Sequence, residues 1–305
     1  MGKIFRHIFI FFQAIVLSLN SFAQNSGDTN LVNRKLLGRI IVFESIAAVS
    51  SLSGLYVLWY TDYPQSSFHF INDNKEWLQM DKTGHATAAY NISKTSYVIL
   101  RWPGVERNKA IWLGGATGFT YLAVVELLDG FSAEWGASLG DLTANTLGSA
   151  AFVGQQLAWD EQRVLLKWSY HQSQYAQYRP DILGRNFPER LLKDYNGQTC
   201  WLSVNVHSFL PDDSRFPKWI NLALGYSADG MLGGKANPAE LNGITLPSFE
   251  RTRQYFLSLD LDLSRIETRS KALNMIFNFI GVLKMPFPAI EYNSKNEWIL
   301  HGMYF

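Results

Sequence analysis

The chain has 305 residues, of which 47% are hydrophobic, 14% aromatic and 17% charged. This composition is too apolar and too aromatic for an intrinsically disordered protein, so the chain must bury a large core or contact lipid. The formal net charge of +1 lacks the basic excess that binding to nucleic acid requires. The single cysteine, Cys200, excludes an internal disulfide and a cysteine-based metal cluster.

The first residues have the organisation of a secretory signal. Lys3 and Arg6 precede an apolar run, and small residues around Ala23 offer a cleavage point. Residues 1–23 are therefore predicted to be a signal peptide, with an uncleaved N-terminal anchor as the alternative. The predicted mature protein begins at Gln24, whereas a lipoprotein would begin with a cysteine. We expect an exported, membrane-associated protein of the cell envelope, at either the inner or the outer membrane.

Two regimes of hydrophobic periodicity predict an α+β protein. Residues 24–175 contain long apolar runs rich in small residues, which predict a helical bundle. Residues 176–305 contain shorter, alternating runs, which predict a mostly antiparallel β region with one helical segment over 270–283. Asn108 is predicted to cap the third helix, since its side-chain oxygen can accept from the first-turn amides. The predicted helices of the bundle cover 36–60, 80–100, 108–128 and 139–170, and the sequence leaves open whether the last is one helix or is broken.

The first predicted helix, 36–60, is long enough to cross a bilayer, which takes about 20 apolar residues. Its N-terminal basic residues would lie outside the cytoplasm after signal cleavage, against the positive-inside tendency. Either this helix packs in a bundle on the far side of the membrane, or the export signal is retained as an anchor. Glu44 in the middle of the helix favours a stripe that faces protein rather than lipid.

Three pairs of polar residues project from three consecutive predicted helices. The members of each pair are three or four residues apart, so they share one side of their helix. A carboxylate near an apolar run is costly unless it is paired, hydrogen-bonded or bound to metal, which predicts that the pairs converge on one site. The candidate site consists of Asp81, His85, Glu126, Asp129, Asp141 and Asn145.

The sequence around these pairs resembles a known family. The segments 80–85, 126–130 and 140–148 are similar to the YfiM-like family of predicted periplasmic lipoproteins of unknown function, and distantly to VanZ-like membrane proteins. The resemblance covers about residues 77–155. It implies an envelope protein but no particular reaction, and the missing cysteine at Gln24 departs from a lipoprotein.

Two interpretations of the candidate site remain open. In the first, His85 transfers a proton near neutral pH, while the carboxylates orient it or bind a hard divalent cation together with it. In the second, the six residues form a polar hydrogen-bond network that fixes the register of the helices. The sequence identifies no cofactor and no particular metal.

The leading functional interpretation is an envelope protein with a structural or lipid-associated role. The alternative is a metal-dependent or acid–base enzyme that acts on an envelope lipid or a phosphate-bearing metabolite. The expected partner is membrane lipid or another envelope component, and not nucleic acid, while the oligomeric state is left open. The alternating strands predict one apolar and one polar face, a pattern that is compatible with contact with lipid.

Overall fold

The computed structural model describes residues 32–211, 213–266 and 268–305. The predicted signal peptide, residues 1–23, lies outside the described residues. The described chain is α+β, as predicted, because long helices come first and six later strands form an antiparallel sheet.

The chain divides into two compact units. The second helix begins in unit 2 and continues without a break into unit 1. Among the described residues, unit 1 holds 32–72 and 88–160, and unit 2 holds 73–87 and 161–305.

The four predicted helices of the first region are present, with different ends. Asn108 does not cap the third of them. The cap is Glu106, whose carboxylate accepts from the backbone amides of Asn108 and Lys109. A negative charge is favoured at a helix N-terminus, and two oxygens can satisfy two amides. The bounds are α1 (Arg34–Trp59), α2 (Met80–Arg101), α3 (Arg107–Asp129) and α4 (Leu139–Trp159).

The predicted helical segment 139–170 is broken, and its C-terminal part is a strand instead of a helix. The helix ends at Trp159, and Asp160 adopts a left-handed backbone with φ of 58°. The residues that follow form a strand, Val164–Tyr170. Buried positions alternate along this strand, so its period is two, but Lys167 is one of the buried positions and hides the apolar alternation in the sequence.

Small residues allow close helix packing within unit 1. A Cβ on Gly114 would lie 2.7 Å from the backbone oxygen of Ser93, and a Cβ on Gly118 would meet the backbone oxygen of Ala89. From Gly114 to Gly118 the chain advances along α3, whereas the contacted residues go back along α2 from Ser93 to Ala89. Helix α3 is therefore antiparallel to α2. Helix α1 packs on α3 through two apolar clusters, one around Leu52 and one around Leu37.

Two very short strands complete unit 1. Strand β1 (Phe70–Ile71) pairs in parallel with β2 (Ala137–Ser138), directly before α4 begins.

Unit 2 is built on a six-stranded antiparallel sheet whose strands lie side by side in chain order, from β3 to β5 and then from β8 to β10. A short hairpin, β6–β7, is inserted between β5 and β8. The sheet is strongly curled, because the hydroxyls of Thr199 on β4 and Tyr304 on β10 lie 3.1 Å apart. The strand bounds are β3 (Val164–Tyr170), β4 (Gln198–Asn205), β5 (Ile220–Asp229), β6 (Glu240–Leu241), β7 (Ile244–Thr245), β8 (Thr252–Leu261), β9 (Phe287–Asn293) and β10 (Trp298–Tyr304).

Three shorter helices of unit 2 flank this sheet. The predicted helical segment over 270–283 is present in a shorter form, capped by Ser270, whose hydroxyl accepts from the backbone amide of Leu273. The bounds are α5 (Pro180–Leu183), α6 (Phe187–Lys193) and α7 (Lys271–Ile280).

The buried face of the sheet, which we call the inner face, carries polar side chains beside an apolar cluster that includes Trp201 and Phe256. Lys167 on β3 and Asp260 on β8 are fully buried, and their charged groups lie 2.7 Å apart. Ser203 donates to the same carboxylate at 2.7 Å, and the backbone amide of Met285 donates to its other oxygen at 3.0 Å. Buried charges are tolerated only when they are paired and hydrogen-bonded in this way. The inner face therefore holds the sheet together through specific polar contacts.

Candidate functional site

A left-handed turn directly precedes α2. Trp77, Leu78 and Gln79 have φ angles of 48°, 49° and 71°. Residues other than glycine rarely adopt this backbone, and each such residue costs about 1–3 kcal/mol. The surrounding unit fixes the turn, since the Trp77 amide donates to the Gly234 carbonyl at 2.7 Å and the Tyr226 hydroxyl donates to the Leu78 carbonyl. Strained backbone of this kind is concentrated at functional sites.

Asp81 lies in the first turn of α2, and three side chains lie close to its carboxylate. The Tyr195 hydroxyl donates to its Oδ1 at 2.6 Å, and the Lys82 ammonium donates to its Oδ2 at 3.1 Å. His85 follows one helical turn later, and its Nε2 lies 3.7 Å from Oδ1. The structure thus brings the first predicted pair together on one face of the helix, in contact with a tyrosine from a distant part of unit 2.

The charges around Asp81 keep it ionised. Burial raises the pKa of the Asp81 carboxyl, but the nearby His85 and Lys82 charges and the Tyr195 hydrogen bond outweigh this effect and lower the pKa below its usual value. Lys82 is shared between two carboxylates, because its ammonium also lies 2.7 Å from Oδ2 of Asp73. An ionised carboxylate beside a histidine can orient the imidazole for proton transfer or bind a cation together with it.

In unit 1, Ser138 joins two of the predicted carboxylates. Its backbone amide donates to Oε2 of Glu126 at 2.9 Å, and its hydroxyl accepts from the backbone amide of Asp141 at 3.2 Å. Both carboxylate side chains are buried, and Asn145 is fully buried one turn further along α4. Because β2 ends at Ser138, the β1–β2 pairing determines where α4 begins and aligns its first turn with Glu126.

Asp129 makes a contact with the end of α1. Its Oδ1 accepts a hydrogen bond from the Tyr60 hydroxyl at 2.8 Å. Tyr60 belongs to the apolar cluster that joins α1 to α3, where it also packs edge-on against Trp135. Among the predicted site residues, Asp129 is therefore one that also fixes the helix packing of unit 1.

Helices α2 and α4 run parallel in unit 1. The Ser93 hydroxyl donates to that of Ser149 at 3.3 Å, and further along both helices the side-chain amide of Gln156 donates to the Tyr97 hydroxyl at 3.3 Å. The rings of Tyr97 and Phe152 are 5.6 Å apart, in the same register. The contacts advance in the same direction along both helices. The same number of residues along α2 and along α4 therefore covers the same distance along the helix axes.

Sequence reasoning missed three residues that organise the candidate site. Ser138 could have been found, because Ser138 and Asp141 have the spacing of a helix-capping serine followed three residues later by an acid. Asp73 and Tyr195 have no comparable signal. Tyr195 is 114 positions from its partner Asp81, and no local pattern encodes a contact at that separation.

Each part of the candidate site offers ligands that divalent cations accept. In unit 2 these are the Asp81 carboxylate and the His85 imidazole, and in unit 1 they are the side-chain oxygens of Glu126, Asp141 and Asn145. Hard cations prefer carboxylate and carbonyl oxygen, and an imidazole extends the range to transition metals.

The bridging role of Ser138 leads to a stability prediction. Ser138→Ala should lower the free energy of unfolding by about 1 kcal/mol, because it removes the side-chain cap of α4. Thr143→Ala, an exposed hydroxyl on the same helix, is the matched control and should change stability by less than about 0.5 kcal/mol. Chemical denaturation of both variants measures the difference. Equal stability of the two variants would show that the cap contributes nothing.

Comparison with known proteins gives one family. Residues 69–155 match the model of the family described as predicted periplasmic lipoprotein (DUF2279). No curated protein and no solved structure matches the chain. The matched range runs from β1 into α4 and contains all six candidate residues. This part of the chain is therefore similar to a family of predicted periplasmic lipoproteins.

Proposed function

We propose that the protein is an exported, membrane-associated component of the cell envelope with a structural or lipid-associated role. The observation that carries the proposal is the exposed apolar surface of α1. Four large apolar side chains of this helix are between 59% and 65% exposed: Val42, Phe43, Ile46 and Val57. Val42, Phe43 and Ile46 lie within about one helical turn, and clustered exposed apolar side chains mark a site of contact with a membrane or a protein.

Burial separates α1 from an ordinary core helix. Both α1 and α3 are long and apolar enough to cross a membrane, and length and composition alone also fit the core helix of a soluble protein. Half of the most apolar stretch of α3 is buried, as in a core helix, whereas only 11% of the corresponding stretch of α1 is buried. Helix α1 therefore presents to its surroundings most of the apolar surface that a core helix would hide.

The proposed location agrees with the predicted signal peptide and with the family match over residues 69–155. The resemblance of the candidate motifs to YfiM-like and VanZ-like proteins supports the same compartment. Cleavage before Gln24 would leave no N-terminal cysteine for a lipid anchor, so membrane contact would be made by the protein surface itself.

Cell fractionation tests the proposed location. N-terminal sequencing should show that the protein begins at Gln24. The protein should sediment with membranes, remain bound to them in a high-salt wash and be released by detergent. Phe43→Asp combined with Ile46→Asp should shift protein to the soluble fraction, because charge on an apolar face opposes contact with lipid. Ser50→Asp, at an exposed polar position of the same helix, is the control. Intact Met1 in a cytosolic fraction would contradict the proposal.

The second candidate is a metal-dependent or acid–base enzyme that acts on an envelope lipid or a phosphate-bearing metabolite. The geometry around Asp81 favours it, because an ionised carboxylate, a histidine 3.7 Å away and a tyrosine hydroxyl are held next to a strained turn.

The geometry of the first predicted pair supports a cation site. We infer that the Asp81 carboxylate and the His85 imidazole, which lie 3.7 Å apart on one face of α2, can hold one divalent cation. Measurement of metal bound to the purified protein tests this candidate.

A further inference from the structure

The sheet of unit 2 has an inverted distribution of polarity. Along β8, Ser258 and Asp260 are buried, whereas Leu257 and Leu259 are 43% and 47% exposed. In a soluble protein the apolar side of such an alternating strand packs against the core, and the polar side faces water. Here the aliphatic side chains are on the exposed side, and the buried side combines polar residues with an apolar cluster around Trp201 and Phe256. Packing into the core therefore does not explain the exposed aliphatic positions.

The exposed face, which we call the outer face, is organised in rows across the strands. One row crosses all six strands and consists of Leu166, Leu202, Leu224, Leu257, Ile290 and Leu300. Each member is paired with the next one on the neighbouring strand, and the last five are between 43% and 76% exposed. A parallel row two residues along the strands consists of Val164, Val204, Leu222 and Leu259.

An aromatic row borders the aliphatic rows on one side. Tyr255, Tyr292 and Trp298 are paired neighbours on β8, β9 and β10. Arg253 lies just beyond this row, and its guanidinium donates to the hydroxyl of Tyr226, which is paired with Tyr255. Tyrosine, tryptophan and arginine are the residues found where hydrocarbon meets lipid headgroups.

The opposite end of the outer face is bordered by a basic residue. Exposed Lys218 lies two positions before β5 in the register of Leu222 and Leu224, whereas Trp219 has the register of the inner face. Eight positions separate Lys218 from Tyr226, which corresponds to about 27 Å along an extended strand. This length is close to the apolar band of about 25 Å on membrane-facing sheets.

A second element of unit 2 exposes an apolar face. Helix α7 has Leu273, Ile276 and Ile280 on one side at helical spacing, each between 38% and 47% exposed. The residues that follow α7 pair with the outer edge of β3, where the Trp168 amide donates to Val282 at 2.9 Å and the Lys284 amide donates to Trp168 at 3.0 Å. This pairing reduces the number of backbone N–H and C=O groups without a hydrogen-bond partner at that edge. Such groups are costly in contact with lipid.

We propose that the outer face of the sheet, together with the apolar side of α7, contacts the acyl chains of a lipid bilayer. The layered order of aliphatic rows between aromatic and basic residues matches the layers of a bilayer. A protein partner fits less well, because protein interfaces carry about one hydrogen bond per 100–200 Å², and the aliphatic rows offer no polar side chain. The inference deepens the proposed membrane association and rests on it.

Asp81 and the side chains around it also lie near the proposed lipid surface. Met80, the residue before Asp81, packs against Cys200. Cys200 is paired with Tyr226, so it lies at the same level of the sheet as the aromatic row. Tyr226 in turn donates to the carbonyl of Leu78, in the turn before α2. The candidate residues of unit 2 therefore lie on the headgroup side of the outer face, where a lipid phosphate would be found.

Site-specific fluorescent labels test the lipid contact. In the full-length protein with Cys200→Ser, an environment-sensitive fluorophore is attached at Leu224→Cys, Leu300→Cys or Ile244→Cys. Ile244 is the matched control, since it is apolar and 68% exposed but belongs to the β6–β7 hairpin. The protein is mixed with vesicles of phosphatidylethanolamine and phosphatidylglycerol, with and without a quencher on the acyl chains. Circular dichroism verifies that each variant is folded.

We expect a blue shift and acyl-chain quenching at positions 224 and 300 but not at 244. Adding Leu257→Lys should reduce the quenched fraction at position 300 by at least about 10-fold, because a cation within the apolar band is unfavourable. Vesicle-bound protein with water-exposed labels at 224 and 300 would overturn this inference while leaving the proposed membrane association intact. Failure to bind vesicles at all would overturn both. If the protein is a dimer and the labels at 224 and 300 are already shielded from water without vesicles, a second copy of the chain covers the outer face. That result would overturn the lipid contact.

Discussion

Replacing Lys167 with methionine is expected to lower the free energy of unfolding by about 3–5 kcal/mol. The substitution removes the ammonium group that lies 2.7 Å from the Asp260 carboxylate, and both side chains are fully buried. Ser203 and the Met285 amide would still donate to Asp260, but the negative charge would have no cation in direct contact on the inner face. Chemical denaturation of the purified protein measures the loss.

Two further variants make this prediction specific. Lys295→Met removes a cation whose partner, Glu250, is 3.6 Å away at an exposed position, and it should change stability by less than about 0.5 kcal/mol. Combining Lys167→Met with Asp260→Leu should recover part of the lost stability, because the stranded carboxylate is removed, while the buried Lys284 loses its favourable interaction with Asp260. A loss for Lys167→Met no larger than that for Lys295→Met would show that the inner face does not depend on the ion pair.

Replacing His85 with glutamine is expected to reduce divalent-cation affinity by at least about 10-fold, with little change in melting temperature. Glutamine keeps a polar side chain of similar length, but its amide is a poor metal ligand and cannot exchange a proton near neutral pH. Asp81→Asn should reduce cation affinity in the same way, because the Asp81 carboxylate lies 3.7 Å from the His85 imidazole. Calorimetric titration with Mn²⁺ and Zn²⁺, together with thermal unfolding, measures both quantities.

The controls for His85→Gln separate a binding site from a structural network. His207→Gln, at a half-buried histidine outside the candidate site, should leave cation affinity unchanged. If the six residues form only a structural network, loss of one partner should instead cost about 1–3 kcal/mol of stability. A lower melting temperature without any change in cation binding would therefore leave the enzyme candidate without support. An assay of envelope integrity in cells shows whether function follows cation affinity or stability.

Local patterns predicted most of the secondary structure because they depend on neighbouring residues. Apolar runs at helical period located α1, α2 and α3 to within two residues at each end. The pattern failed for β3, where Lys167 occupies a buried position that alternation assigns to an apolar residue. Its partner Asp260 lies on another strand far along the chain, and only strand pairing brings the two charges together.

The candidate site was predictable in part for the same reason. Helical spacing placed Asp81 and His85 on one face of one helix, and the structure has them 3.7 Å apart. The role of Tyr195 could not be predicted, because a hydrogen bond across 114 positions of chain depends on the folded path of unit 2.

The sequence by itself determined the α+β class, the existence of the helices and the fact that each late strand has one apolar and one polar side. Alternation along a strand shows that its two sides differ, but it does not show which side is enclosed. Only the tertiary structure decided that Ser258 and Asp260 are buried while Leu257 and Leu259 are exposed. The physical reason is that the curled sheet satisfies its polar side chains with one another, so burying them costs little and the apolar side is left for the surroundings.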